Sequence, residues 1–327
     1  MDENKKRLWK QAIKWPLYSV AILPVFISGA YLLNCYEKIS ISNLIAFTFA
    51  AILILLWENL TNDLFDAETG IDEFKSSNKR NPKLTAITVG EDPASLLYVS
   101  RKEEKANDLG VEFNWIKLPE KTSQNDLDSQ IKEVIKESDG IIVQLPLPSH
   151  IHAEQTINMI PNNLDVDGLT ALNLGNLYSD NYKIIPATSL AILELIKYYN
   201  IDTNDKNIVI AGRSRLVSSP LAKILSSKKY NANVSVIHSR TTNQKSFTLN
   251  ADIFISAIGK PKNYDISFLK ENSVVIDIGI SSVDSQTYGD IDTSNLENHL
   301  LSRSPYPGGV GPITVSALYS NLAKLIS

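Results

Sequence analysis

Asn207-Ile-Val-Ile-Ala-Gly-Arg-Ser-Arg-Leu-Val217 is the stretch on which the fold class turns. The apolar run 208–211 fits a strand buried on both faces. Gly212-Arg213-Ser214 fits a tight turn, and residues 216–227 fit the helix that follows it. A strand passing through a glycine turn into a helix is the repeating unit of a parallel α/β sheet. It is also where a dinucleotide fold seats phosphate on a helix N-terminus. The turn is not GxGxxG, so the general fingerprint is absent. Arg213, and His238-Ser239-Arg240-Thr241 after the next apolar run, offer cations and hydroxyls. Those groups suit a ribose 2′-phosphate, hence NADP over NAD. On these residues alone, nucleotide binding and a plain packing unit both stay open.

The same texture extends in both directions. Strands are expected at 84–89, 111–116, 140–145, 207–211, 233–237, 252–256 and 273–278. Helices are expected at 125–136, 153–160 and 190–199, with a last one from about Thr314 to the end. Asp92 before Pro93 reads as an N-cap followed by a first-position proline, and Gly110 as the end of that helix. Pro305-Tyr-Pro-Gly-Gly-Val-Gly-Pro312 holds three prolines and three glycines. Such a density excludes helix or strand interior and lets backbone approach a flat ligand.

At 327 residues the chain can form two compact domains, and its net charge of -4 gives no footprint for nucleic acid. A lone cysteine, Cys35, excludes an intramolecular disulfide and a cysteine-based zinc site. His150 and His152 form an HxH pair without companions, so no metal site is expected.

The amino-terminal quarter differs. Residues 15–36 and 39–57 carry no charge, and each run is long enough to span a bilayer as a helix. Trp15, Tyr18, Tyr36 and Trp57 lie near their ends, and Lys or Arg clusters flank both. The expectation is a helical hairpin with both flanks cytoplasmic, joined by a polar linker, 76–82, to the α/β portion.

Several polar residues could carry chemistry. Tyr98 and Lys102 are four apart on one helical face. Gln144 ends an apolar strand, where open α/β sheets bind ligands. Asp165 and Asp167 share a turn, as a carboxylate pair or an Asx-turn.

Taken together, these segments resemble the bifunctional methylenetetrahydrofolate dehydrogenase/cyclohydrolase family. The matching pieces run in family order: VGEDPASLLYVSRK (89–102), GIIVQLPLP (140–148), LDVDGL (164–169), GRSRLV (212–217), VIHSRT (236–241), ADIFISAIGKP (251–261), VVIDIGI (274–280) and YPGGVGPIT (306–314). The resemblance implies NADP-dependent oxidation of 5,10-methylenetetrahydrofolate and hydrolysis of the methenyl product. It implies that Lys102 is the catalytic lysine, that Tyr98 lies against the folate, that Gln144 holds the lysine and that Asp167 grips the pterin edge. Val143 and Leu145 flank the substrate, and Pro307, Gly308, Gly309, Val310 and Gly311 close over it. Gly212, Arg213, Ser214, Ser239 and Ile280 match NADP contacts. A homodimer is implied too.

Three departures stand out. The hydrophobic segment replaces the family's first helix, Leu190 follows Pro186-Ala-Thr-Ser189 where glycine is usual, and Ser218 occupies the phosphate-loop glycine. A positive φ at Ser218 would crowd the nucleotide. The alternatives are a catalytically impaired folate- or nucleotide-binding fusion product and a membrane prenyltransferase fragment. Trp57 to Asp72, WENLTNDLFDAETGID, resembles the first aspartate-rich motif of the UbiA prenyltransferase superfamily, which implies magnesium pyrophosphate on Asn62, Asp63 and Asp66. The fold class expected is therefore α/β: a hydrophobic fragment (1–80), a folate-binding catalytic domain (81–187, joined by 313–327) and a Rossmann-like NADP domain (188–312). A cytoplasmic enzyme, tethered to the membrane through 15–57, completes the expectation.

Overall fold

Two parallel sheets organise the described chain. The computed structural model describes residues 80–327, apart from 280, 284–285, 295, 297–298, 301 and 305–308. The hydrophobic segment 15–57 lies outside the described residues, as do Asn62, Asp63, Asp66, Ile280, Pro307 and Gly308. Among the described residues no helix is long and apolar enough to cross a membrane.

The first sheet has the order β2-β1-β3, built from β1 (Lys83–Val89), β2 (Glu112–Leu118) and β3 (Gly140–Val143), all parallel. β1 is central and buried on both faces, so its sequence is nearly continuously apolar rather than alternating. Its two buried threonines have partners: the Thr85 hydroxyl bonds Ser138, and Trp115 Nε1 donates to Thr88. Between β1 and β2 runs α1 (Pro93–Leu109). The Asp92 carboxylate accepts the Ser95 N–H at its start, and Gly110 closes it in the left-handed conformation. One face of the sheet packs Ile87, Val89, Ile141 and Val143 against Leu127, Ile131 and Val134 of α2 (Gln124–Val134). Each fully buried aliphatic side chain of this kind contributes about 2 kcal/mol.

Two short helices, α3 (Ala153–Asn158) and α4 (Ala171–Tyr178), lead to α5 (Ala187–Tyr198). The second sheet follows, in the order β10-β7-β6-β4-β5 and again parallel. Its strands are β4 (Asn207–Ala211), β5 (Asn233–Ile237), β6 (Ile253–Ser256), β7 (Val274–Asp277) and β10 (Ser302–Arg303). α6 (Ser218–Leu225) connects β4 to β5, and α7 (Gln244–Thr248) connects β5 to β6. The chain thus leaves β4 on one side for β5 and returns on the other for β6. That reversal opens a crevice at the carboxyl ends of β4 and β6, where open α/β sheets bind ligands. Ile208, Ile210, Ile253 and Ile255 face α5 and α6, while Val209, Phe254 and Val275 face Tyr264 and Leu269 on the opposite side. An antiparallel hairpin, β8 (Ser281–Val283) and β9 (Gln286–Tyr288), projects after β7.

The last helix, α8 (Val310–Ile326), packs along α5 and reaches α1 of the first lobe. Tyr319 donates to the Lys102 carbonyl, and Asn321 Nδ2 donates to the carbonyls of Val166 and Ile185. A Cβ on Gly140 would lie 2.6 Å from Val166 and 2.8 Å from Leu322, so glycine is what lets α8 approach β3. α8 starts four residues before the expected Thr314. Gly309 precedes it, and Pro312 falls in its first turn, where a missing N–H leaves no bond unmade. Residues 310–312 of the glycine-proline stretch thus form the first turn of α8 and none of its interior.

Candidate active site

Tyr98 and Lys102 both project from α1 into one cleft of about 150 Å³. Val143, Gln144 and Leu145 form its wall at the end of β3, and Asp167 and Leu169 its opposite side. The second lobe contributes Leu216 and Val217, and Thr188 of α5 and Thr314 of α8 also line it. The helical spacing of Tyr98 and Lys102 thus puts phenol and ammonium side by side, with Lys102 Nζ 5.6 Å from the Tyr98 ring centre.

Lys102 is only 4% exposed, yet it makes a defined contact: Nζ donates to Gln144 Oε1 at 3.0 Å. The Gln144 amide in turn donates to the Leu145 carbonyl at 2.8 Å, which fixes which end of the side chain faces the lysine. Burial holds the Lys102 ammonium below the usual lysine range, with Asp167 pulling it partly back. Burial also pushes the Asp167 carboxyl up, opposed by Lys102 and reinforced by Asp165. The Tyr98 phenol is likewise pushed up by burial, offset in part by the Thr314 hydroxyl.

The two carboxylates of the Asp165-Val-Asp167 turn separate in role. Asp165 is 1% exposed and accepts from the N–H groups of Gly168 and Thr170 and from the Asn173 amide. It is committed to the turn, whereas Asp167 alone lines the cleft. The HxH pair goes elsewhere: His150 Nε2 lies 2.9 Å from the Thr122 carbonyl, and His152 precedes α3. Among the described residues no cluster of three metal-ligating side chains occurs.

A second cavity, of about 330 Å³, opens at the crevice of the second sheet. Gly212, Arg213 and Ser214 line it from the β4 turn, His238 and Ser239 from the end of β5, and Ala257, Ile258 and Lys260 from the loop after β6. Gly212 has φ 119°, and a Cβ there would meet the Ala257 carbonyl and the Ser218 hydroxyl at 2.8 Å each. Only glycine fits, and the bare backbone can approach a phosphate. The Ser214 hydroxyl accepts the Val217 N–H and shapes the turn. Ser218 does not have positive φ, so the strain anticipated there is absent. Its buried hydroxyl has no partner and rests beside Gly212. Arg213 and Ser239 are exposed at the rim. The cations, hydroxyls and glycine cradle fit a phosphorylated dinucleotide.

Gly309, Val310 and Gly311 sit at the start of α8; Val310 is buried in the second core and lines neither cavity. Sequence reasoning did not single out Leu216, Val217 or Thr314. None is chemically unusual, and their place in the cleft depends on how the two lobes and α8 meet.

Residues 60–167 match the tetrahydrofolate dehydrogenase/cyclohydrolase catalytic domain, and residues 186–327 match the NAD(P)-binding domain of the same family. The protein is 38% identical over 258 residues to the bifunctional protein FolD of Clostridium beijerinckii, covering 78% of this chain and 91% of that one. With the FolD protein of a Sulfurihydrogenibium species it shares 40% over 258 residues, 78% of this chain and 90% of the relative. Its fold is similar to the crystal structure of the FolD dehydrogenase/cyclohydrolase from Campylobacter jejuni, with a TM-score of 0.75 and 32% identity over 82% of this chain and 95% of that one. The Trypanosoma brucei enzyme, solved with NADP cofactor and inhibitor, gives 0.76 and 28% over 82% and 95%.

Proposed function

The chain belongs to the tetrahydrofolate dehydrogenase/cyclohydrolase family, and from that premise we propose how its cleft divides the work between two reactions. The enzyme oxidises 5,10-methylenetetrahydrofolate to 5,10-methenyltetrahydrofolate with NADP, then hydrolyses the product to 10-formyltetrahydrofolate. When bound, NADP supplies a hydride acceptor. The carbon losing hydride lies between two nitrogens that delocalise the resulting cation, so the first step needs positioning rather than a base. Tyr98 provides a flat apolar surface for the folate, and Asp167 accepts from the pterin's N–H donors. Arg213 and Ser239 hold the 2′-phosphate of the cofactor, beside the Gly212 turn.

Hydrolysis needs more. Water adds to the methenyl carbon and loses one proton to give a neutral carbinolamine. Its hydroxyl then loses the second proton as the carbonyl forms and the bond from carbon to N5 opens, so that of the two protons one ends on N5 and one is released. Burial disfavours the Lys102 ammonium, so this lysine gives up its proton more readily than an exposed one and its amine is the group placed to take the water's proton. Gln144 holds that amine in place, as the 3.0 Å bond to Nζ supports. That contact, in a cleft walled by both lobes, is the observation that carries the reading. The test is paired: NADPH absorbance with methylenetetrahydrofolate, and loss of methenyl absorbance without NADP. NADP binding without turnover in either assay would instead favour an impaired folate- or nucleotide-binding protein.

We further infer membrane attachment through residues 15–57, on the two uncharged runs and their aromatic and basic flanks. The enzyme portion then lies on the cytoplasmic face. Detergent-phase partitioning of the intact chain tests this, and recovery wholly in the aqueous phase rejects it. A homodimer through the second lobe, as the family resemblance implies, is open to sedimentation.

A further inference from the structure

Two buried carboxylates outside both cavities form a relay behind the dinucleotide crevice. Asp290 is fully buried and accepts from the Ser256 hydroxyl at 2.7 Å and from the backbone N–H groups of Ile258 and Lys260 at 2.8 Å each. Ser256 ends β6, and Ile258 and Lys260 belong to the loop that walls the crevice opposite Gly212. Asp277, at the end of β7, accepts from the N–H groups of Asp290, Ile291 and Gly279. One carboxylate thus anchors the segment that delivers the other.

Glycines make room for both. A methyl group on Gly279 would overlap the Asp290 carboxylate, and one on Gly289 would overlap that of Asp277. A buried carboxylate with three donors resists displacement, because removing any donor leaves charge uncompensated in a poorly solvated site. Neither aspartate reaches the folate cleft.

We infer that Asp290 is a positioning residue for NADP, setting the backbone of residues 257–260 so that this wall meets the cofactor. The inference rests on the assignment of the crevice to NADP. Asp277 acts one step further back, by holding residues 289–291.

The experiment compares the intact enzyme with Asp290→Asn and Ser256→Ala. Asparagine turns an N–H donor toward backbone N–H groups. The alanine variant keeps the carboxylate and removes one donor. Dissociation constants for NADP come from calorimetry, and KM for NADP and for the folate from steady-state kinetics. Cyclohydrolase turnover, which consumes no NADP, is the reference. Asp290→Asn is expected to raise both the NADP dissociation constant and its KM about tenfold, and Ser256→Ala a few-fold. The folate KM and cyclohydrolase turnover should stay within about twofold. If Asp290→Asn does not fold, Ser256→Ala decides alone: an unchanged NADP affinity overturns the proposal. Unchanged affinity in a folded Asp290→Asn overturns it too, as does equal loss of both activities. No NADP binding by the unaltered enzyme would instead remove the crevice assignment itself.

Discussion

Asp277 makes the stability of the second lobe depend on pH in a direction opposite to most acidic groups. Its carboxyl is pushed from 3.8 up to about 6. Burial is the main cause; bonds from the Ile291 and Asp290 N–H groups oppose it, and the Asp290 charge adds to it. Among the described residues, Lys262, Tyr288 and Arg303 line with Asp277 a third cavity of about 220 Å³. The folded state holds this proton more tightly than the unfolded chain. The associated stabilisation is therefore complete below about pH 4 and is lost as pH rises through about 6. A difference of roughly two units corresponds to about 3 kcal/mol. Asp277 is 7% exposed, so solvent screening removes little of this. Asp277→Asn cannot titrate. Denaturant midpoints measured from pH 4 to pH 8 should show wild type losing about 3 kcal/mol relative to the variant across that interval. Groups such as Asp167, Asp139 and Asp252 also shift, but they are common to both proteins and cancel in the difference. Parallel stability curves for the two proteins would refute the reasoning.

Lys102→Ala should lower cyclohydrolase turnover at least about a hundredfold while leaving the NADP dissociation constant unchanged; near-normal hydrolysis would remove Lys102 from its role. Arg213→Ala should reduce the preference for NADP over NAD about tenfold, read as the ratio of the two dissociation constants. Gly140→Ala should destabilise the fold by about 1–3 kcal/mol, because Val166 and Leu322 crowd the new methyl group; thermal denaturation checks it.

Local signals were read well where the chain supplies its own punctuation. Asp92-Pro93 and Gly110 bracket α1 as capping chemistry requires. The strands β1, β4 and β5 are short apolar or β-branched runs ended by turn residues. α4 was missed, although Thr170 caps it through the Asn173 N–H, because its eight residues include Gly175 and give no long apolar period. The β8–β9 hairpin was missed because its residues are polar and lack a clear alternation. Tyr98, Lys102, Gln144 and Asp167 could be named from motifs. Leu216, Val217 and Thr314 could not, since their relevance comes from packing between segments far apart in sequence. Asp277 and Asp290 were passed over for the same reason: each is an ordinary aspartate until its backbone donors, drawn from other loops, are in place.

The division between Asp165 and Asp167 shows why such sites are only half legible. Two residues apart on a turn, the carboxylates look equivalent. Asp165 takes two backbone N–H groups and the Asn173 amide, which leaves it little capacity to bind anything else. That commitment holds the turn through Gly168, whose positive φ packs it against Pro186 at the start of α5. Asp167 is thereby delivered to the cleft opposite Lys102, where burial raises its pKa and the lysine opposes that rise. The structural aspartate thus places the one that lines the cleft. Helix α8 serves α1 similarly, because Tyr319 bonds the carbonyl of Lys102 itself. Lys102 and Asp167 therefore both sit on backbone held by residues outside the cleft, which is the arrangement that preorganisation of a polar site requires.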